Sequence, residues 1–413
     1  MSGTRTPRFA LLGRTLGHSY SKRIHAHFGY GYDLAEVEPE ALAGFMEASV
    51  YDGFNVTVPY KEAVLPYLSE VRGAAKALGV VNTVVRETGR WIGYNTDAAG
   101  MTAALRFSKI EIKNRKIVIF GGGGTSKTAQ YVCAASGARA VVVISRGGAV
   151  TYADLPRHAD ADVVINTTPV GMFPRVGERL ADLSVFTALK GAFDVVYNPL
   201  YTDFLLQAKA AGIPHGNGLY MLAAQAVAAR NLFLGSPDGG DDTDTAYERL
   251  LAEVQNIVLI GMPGVGKSTL GAWLAKAKHM PFIDTDAYIA AHAHMSIPQL
   301  FDVYGEAHFR ALELQAARTL GGGNARVLAL GGGTILVPGA YEALKQNAVI
   351  VLLTRNARPD AADRPLLRDP DAYERLYNER MPKYRLLADA VIDLKDNSIA
   401  QSVAALKHIV ACR

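Results

Sequence analysis

The stretch IGMPGVGKST, Ile260 to Thr269, places Gly261, Gly264 and Gly266 directly before Lys267, Ser268 and Thr269. The spacing G-x-x-x-x-G-K-[ST] suits a loop whose backbone N–H groups and following helix N-terminus cradle the phosphates of a nucleotide such as ATP. Lys267 would reach the outer phosphates. Such a loop points to phosphoryl transfer, a chemistry of positioning and charge neutralisation rather than covalent catalysis. It does not name the acceptor.

A second glycine-rich turn, Gly121, Gly122, Gly123 and Gly124, lies between the strand-like KIVIF and the helical TAQYVCAASG. This is the context in which a dinucleotide pyrophosphate sits on a helix N-terminus. From Gly121 the frame G-x-G-x-x-G is met twice and then fails at Ser126, so a merely structural turn stays open. The next strand ends in Ser145-Arg146 rather than in Asp or Glu. An acid there would bind the ribose hydroxyls of NAD, whereas an arginine suits a 2′-phosphate and points to NADP(H).

Both turns need sheets and helices to carry them. Short β-branched runs alternate with helical patterns nearly to the end of the chain, which predicts α/β architecture with parallel sheets covered by helices. The 413 residues, 49% hydrophobic and 20% charged, suffice for two or three domains. SPDGGDDTDT, Ser236 to Thr245, is acidic and Gly-rich and reads as a linker, with AYERLLAEVQ as a short helix leading into the strand NIVLIG. The net charge of +4 shows no basic run, so nucleic acid is not an expected partner. Cys133 and Cys412 cannot build a disulfide framework, and no signal peptide or membrane-spanning run is evident, so a cytoplasmic protein is expected. The pairs His25/His27 and His292/His294 are two residues apart, about 200° around a helix, and are poorly placed to chelate a metal.

The first lobe carries LGHSYS (Leu16 to Ser21), FNVTVPYK (Phe54 to Lys61), VVNT (Val80 to Thr83) and GYNTD (Gly93 to Asp97). Singly, these are ordinary caps and turns. Together with INTTPVGM, DVVYNP and GNGLYMLAAQA they resemble the shikimate dehydrogenase family over roughly Arg8 to Gly235. The resemblance implies that Ser19 and Ser21 bind the substrate carboxylate, that Thr57, Asn82 and Gln225 hold ring hydroxyls, and that Lys61 and Asp97 form the catalytic pair. Tyr197 and Gly218 would face the cofactor and substrate cleft. Reduction of a ring ketone needs hydride on carbon and a proton for the developing alkoxide, which a lysine held by a carboxylate can supply. Lys22 and Ser145 depart from the family, which has proline and asparagine at these points.

After the phosphate loop come MPFIDTD, GEAHFRALE, VLALGGG, DRPLL and YNERMPKYR, an order that resembles shikimate kinase over roughly Asn256 to Arg413. The resemblance implies that Lys267 and Ser268 serve the phosphates and Mg2+, that Asp284 supports the metal through water, that Asp286 accepts a bond from the attacking hydroxyl, and that Arg310 and Arg380 clamp the substrate carboxylate with the Gly331–Gly333 turn, centred on Gly332. Arg364 would belong to a short lid that also contains Arg358. Independently, Arg310 and Glu313 are spaced i,i+3, so the carboxylate can hold the guanidinium in place; exposed, they would be a surface ion pair.

The expected layout is a substrate lobe over 1–105, with a returning helix at 218–235, an NADP lobe of Rossmann type over 106–217, a linker over 236–254 and a phosphate-loop kinase domain with a parallel sheet over 255–413. The expected substrates are 3-dehydroshikimate and shikimate. Two alternatives remain from the sequence: a quinate/shikimate dehydrogenase using NAD fused to another small-molecule kinase, or a nucleotide-binding scaffold without turnover.

Overall fold

The structure, a computed structural model, describes residues 6–17, 19–173, 175–236, 242–355, 372–394 and 401. It divides into two compact units: the first runs to Leu250 apart from Pro199–Tyr201, and the second comprises that tripeptide and the chain from Leu251.

The first unit is built on two sheets. One contains β1 (Arg8–Gly13), β2 (Gly31–Glu36), β3 (Gly53–Val56), β4 (Glu70–Val71), β5 (Thr83–Glu87) and β6 (Arg90–Tyr94), in the order β2-β1-β3-β5-β6-β4. Contrary to the expectation of parallel sheets throughout, this one is mixed: β3 with β5 and β5 with β6 run antiparallel. For β5 and β6 the reason is local. The connection of β5 to β6 is the two-residue turn Thr88-Gly89, both at positive φ, which matches strand twist and closes a tight hairpin. Ala10, Leu12, Phe54, Val56, Val84 and Trp91 form the core on one face.

The other sheet of the unit contains β7 (Lys116–Phe120), β8 (Ala140–Ile144), β9 (Val163–Asn166), β10 (Gly191–Asp194) and β11 (His215–Asn217), ordered β11-β10-β9-β7-β8 and parallel throughout. The helix Gly218–Leu234 then returns to the first sheet, where Phe233 stacks on Phe9 with ring centroids 4.4 Å apart. The stretch read as a linker contains a longer helix than expected, Thr243–Val254. Tyr247 on it meets the rings of Phe107 and Tyr220, each at 5.2 Å, while 237–241 lies outside the described residues.

The second unit holds a five-stranded parallel sheet of β12 (Asn256–Ile260), β13 (Phe282–Asp284), β14 (Val327–Ala329), β15 (Ala348–Thr354) and β16 (Ala390–Asp393), ordered β13-β14-β12-β15-β16. Its central strands are apolar at nearly every position because both faces are covered. Along β12, Ile257 and Leu259 enter one core while Val258 and Ile260 enter the other, as the two-residue period of a strand requires. The phosphate loop therefore leaves the carboxyl end of the most central strand. No helix among the described residues is long and apolar enough to cross a membrane.

Candidate active sites

In the first unit, β1, β3 and the turn before β5 end at one cleft of about 240 Å³. Ser19, Ser21, Thr57, Lys61, Asn82 and Asp97 line it, together with Tyr197, Gly218 and Gln225. The chain thus gathers every substrate and catalytic residue expected of this half, from positions more than 200 residues apart. Lys61 lies on the short helix Tyr60–Ala63, which the Tyr60 hydroxyl anchors to Val37 O. Asp97 opens the helix Asp97–Phe107, where the unpaired N–H groups of the first turn favour a carboxylate. Lys61 Nζ donates to Asp97 Oδ2 at 2.6 Å, and Asn82 Nδ2 donates to Asp97 Oδ1 at 2.8 Å. Asn82 is itself fixed, its Oδ1 accepting from Thr96 N at 2.7 Å. Burial pushes the Tyr197 phenol up to about 12, so it faces the cleft as a neutral donor.

Sequence reasoning missed Asn55, His25 and Thr125, which also line the cleft. Asn55 Oδ1 accepts from Tyr32 OH at 2.8 Å and its Nδ2 donates to Thr83 Oγ1 at 3.0 Å, extending the polar network that holds Asn82. The alternation of β3 carried the signal, since Asn55 and Thr57 are two apart. His25 is buried, stacked on Tyr32 at 4.0 Å, and burial drives its pKa down to about 3. It is a neutral core ring, and no metal-ligating cluster occurs among the described residues.

Beside the cleft, the turn Gly121–Gly124 leads from β7 into the helix Gly124–Ala135. Gly121 has φ 110°, and a Cβ there would stand 2.6 Å from Thr167 Oγ1, so a side chain is excluded. Ser126, where the dinucleotide frame asks for a third glycine, is fully buried, and the helix accommodates its small side chain. A Cβ on Gly122 would lie 3.5 Å from Ser145 Oγ, so the turn and the end of β8 are neighbours; Arg146 next to it is exposed.

In the second unit a cavity of about 530 Å³ is lined by Gly264, Gly266, Lys267, Ser268 and Thr269 on one side, and by Asp284 and Asp286 at the end of β13. Arg310, Gly332 and Arg380 complete it. Gly261 lies at the base of the loop with φ 144°. Lys267 Nζ donates to the carbonyls of Gly261 and Met262 at 2.9 and 3.1 Å. Ser268 Oγ donates to Asp284 Oδ2 at 2.6 Å, while Asp284 Oδ1 caps the next helix by accepting from Asp286 N at 3.0 Å. This pair of oxygen donors beside a phosphate loop fits a hard divalent cation such as Mg2+.

The turn Gly331–Gly333 packs against the side chains of Asp286, Arg310 and Arg380 at once. A Cβ on Gly331 would collide with Asp286 Oδ1 and one on Gly333 with the Arg310 guanidinium; one on Gly332 would sit 3.3 Å from Arg380 NH1. The lack of side chains on the turn leaves room for these groups to converge. Arg310 is held more tightly than sequence suggested: it pairs with buried Glu313 and also donates to Glu306 at 2.8 Å. Burial acts to lower its pKa, but the bonds to Glu313 and Glu306 outweigh burial and the net shift is upward. Thr334 Oγ1 donates to the remaining Glu313 oxygen at 2.6 Å. Phe301 and Thr334 lie outside the motifs, Glu306 and Phe309 lie within GEAHFRALE beside Arg310, and all four were missed. Arg358 and Arg364 lie outside the described residues.

Comparison with known proteins matches residues 263–411 to the shikimate kinase family and residues 11–84 to the shikimate dehydrogenase substrate binding domain. The chain is 35% identical over 277 residues to the shikimate dehydrogenase (NADP(+)) of Caldanaerobacter subterraneus, covering 60% of this chain and 98% of that protein. Among solved structures it resembles a chorismate mutase/shikimate 5-dehydrogenase fusion from Clostridium acetobutylicum, with 32% identity, TM-score 0.56 and coverage of 60% of this chain and 97% of that one. It also resembles the Thermus thermophilus shikimate 5-dehydrogenase in complex with NADP(H) and shikimate, with 32% identity, TM-score 0.53 and coverage of 59% and 98%. With its first unit the chain belongs to the shikimate dehydrogenase family, and it carries a shikimate kinase domain in the same polypeptide.

Proposed function

We propose that the chain is a bifunctional cytoplasmic enzyme that reduces 3-dehydroshikimate to shikimate with NADPH and then phosphorylates shikimate at its 3-hydroxyl with ATP. The observation that carries this reading is the Lys61–Asp97 pair, set in the same cleft as Ser19, Ser21, Thr57, Asn82 and Gln225. A lone surface lysine would have no reason to be tied to a carboxylate that is itself held by a buried asparagine.

In the first site the bound nicotinamide supplies the hydride. Lys61 delivers the proton to the developing alkoxide oxygen, and Asp97 aims the ammonium at it. Asn82 keeps Asp97 from turning away by occupying its other oxygen. Ser19 and Ser21 offer hydroxyls to the substrate carboxylate, and Arg146 stands where it can meet a 2′-phosphate.

In the second site Asp286 accepts a hydrogen bond from the 3-hydroxyl of shikimate and orients it, while Arg310 and Arg380 bind the ring carboxylate with charge-assisted bonds. Lys267 and the N–H groups of the phosphate loop spread the charge of the transferred group. Ser268 and Asp284 would hold Mg2+, which neutralises phosphate charge when bound.

Purified protein incubated with shikimate and either NADP+ or MgATP tests the reading directly. NADPH should appear in the first case and shikimate 3-phosphate in the second. Reaction with quinate and NAD+ in preference, or phosphorylation of a neutral polyol in preference to shikimate, would overturn it.

A further inference from the structure

The turn Gly331–Gly333 has no side chains with which to hold itself, yet Asp286, Arg310 and Arg380 all pack against it. Two contacts fix its backbone from below. Gly331 N donates to Thr285 Oγ1 at 2.9 Å, and Gly332 O accepts from the hydroxyl of Tyr384. Tyr384 is fully buried in the core under the sheet, among residues such as Leu330, Ile335 and Met381. A phenylalanine would fill that volume equally well. A hydroxyl placed there is tolerated only because it is bonded, since burying an unpaired one is costly.

Tyr384 lies on the helix Ala372–Leu387 one turn beyond Arg380, so both side chains rise from the same helix face. The Arg380 guanidinium packs against the same glycine whose carbonyl the phenol bonds, since a Cβ on Gly332 would stand 3.3 Å from Arg380 NH1. The phenol therefore ties the helix that carries Arg380 to the glycine turn, the other carboxylate-binding element.

We propose that Tyr384 is a positioning residue of the acceptor site, setting the distance between Arg380 and the N–H groups of the Gly331–Gly333 turn. The inference rests on reading this cavity as the shikimate site. Tyr384→Phe in the full-length protein keeps the ring and removes only the tie. KM for shikimate should rise about 3- to 10-fold, the range for losing one hydrogen bond, with KM for MgATP within about twofold of wild type. Dehydrogenase turnover in the same molecule serves as the internal reference and should not change. Because Tyr384 acts through Arg380, Arg380→Lys and Tyr384→Phe combined should raise KM for shikimate by less than the product of the single effects. An unchanged KM for shikimate, an equal rise in both KM values, or full additivity would overturn the proposal and leave Tyr384 a packing residue. Failure of the wild-type protein to phosphorylate shikimate would instead remove the site reading, and this inference with it.

Discussion

Lys61 and Asp97 meet at 2.6 Å from two different elements, and the lysine side chain is 23% exposed while the aspartate is only 8% exposed. The pair is thus more open on the lysine side, which suits a proton donor backed by a fixed counter-charge. Lys61→Ala or Asp97→Asn should lower dehydrogenase turnover by on the order of 10² to 10⁴, as expected when a positioned acid–base group is lost. Phosphorylation of shikimate by the same variants should persist. A joint loss of both activities in a folded variant would contradict independent sites.

Arg310 faces buried Glu313, so its replacement has two consequences that can be separated. Arg310→Ala should weaken shikimate far more than ATP and should also lower the melting temperature, because a 1% exposed carboxylate loses its counter-ion. Arg310→Lys keeps the charge opposite Glu313 but loses the planar fork. It should retain most of the stability while KM for shikimate still rises about tenfold, the scale of one charge-assisted bond. Equal effects on shikimate and ATP would remove Arg310 from the acceptor site.

Arg146 projects into solvent at the end of β8 beside the glycine turn. Arg146→Ala should raise the Kd for NADPH by about tenfold or more, through loss of a charge-assisted bond to the 2′-phosphate, and should leave NADH nearly unaffected. Titration of both cofactors by fluorescence measures the difference. Equal changes for the two would assign Arg146 no part in selectivity.

Asp194 closes β10 and is fully buried, with Oδ1 accepting from Asn166 Nδ2 and Val196 N and Oδ2 accepting from Thr202 Oγ1. Burial pushes its pKa up to about 7 against those three bonds. A folded-state pKa above the unfolded value means that its contribution to stability is full below the unfolded pKa near 3.8 and is lost as pH rises through about 7. Asp194→Asn keeps the acceptor at Oδ1 and can donate to Thr202 from the amide. The variant should therefore gain denaturation midpoint relative to wild type as pH is raised from 5 to 8. A wild-type minus variant difference that is flat with pH would show that Asp194 does not titrate in this range.

Both glycine-rich turns, the alternation of strands and helices, and the parallel sheet of the kinase half were legible in the sequence alone. Each depends on neighbours a few residues away: Gly261 to Ser268 must be contiguous to wrap a phosphate, and the apolar run of β12 is a local record of burial on two faces. The helical character of 246–255 was legible for the same reason, although the helix begins earlier, at Thr243. What sequence could not supply were the partners that hold the functional groups. Thr334 lies outside every motif, the motifs that contain Glu306, Asn55 and Tyr384 do not say what these side chains hold, and Tyr384 reaches Gly332 across 52 positions. The β5–β6 hairpin was missed although its turn, Thr88-Gly89, is local, whereas the antiparallel pairing of β3 with β5 was hidden because it depends on which edges meet and not on the composition of a strand. Motif residues are set by the chemistry they must do, but their orientation follows from close packing of distant segments. Only the folded chain decides that packing.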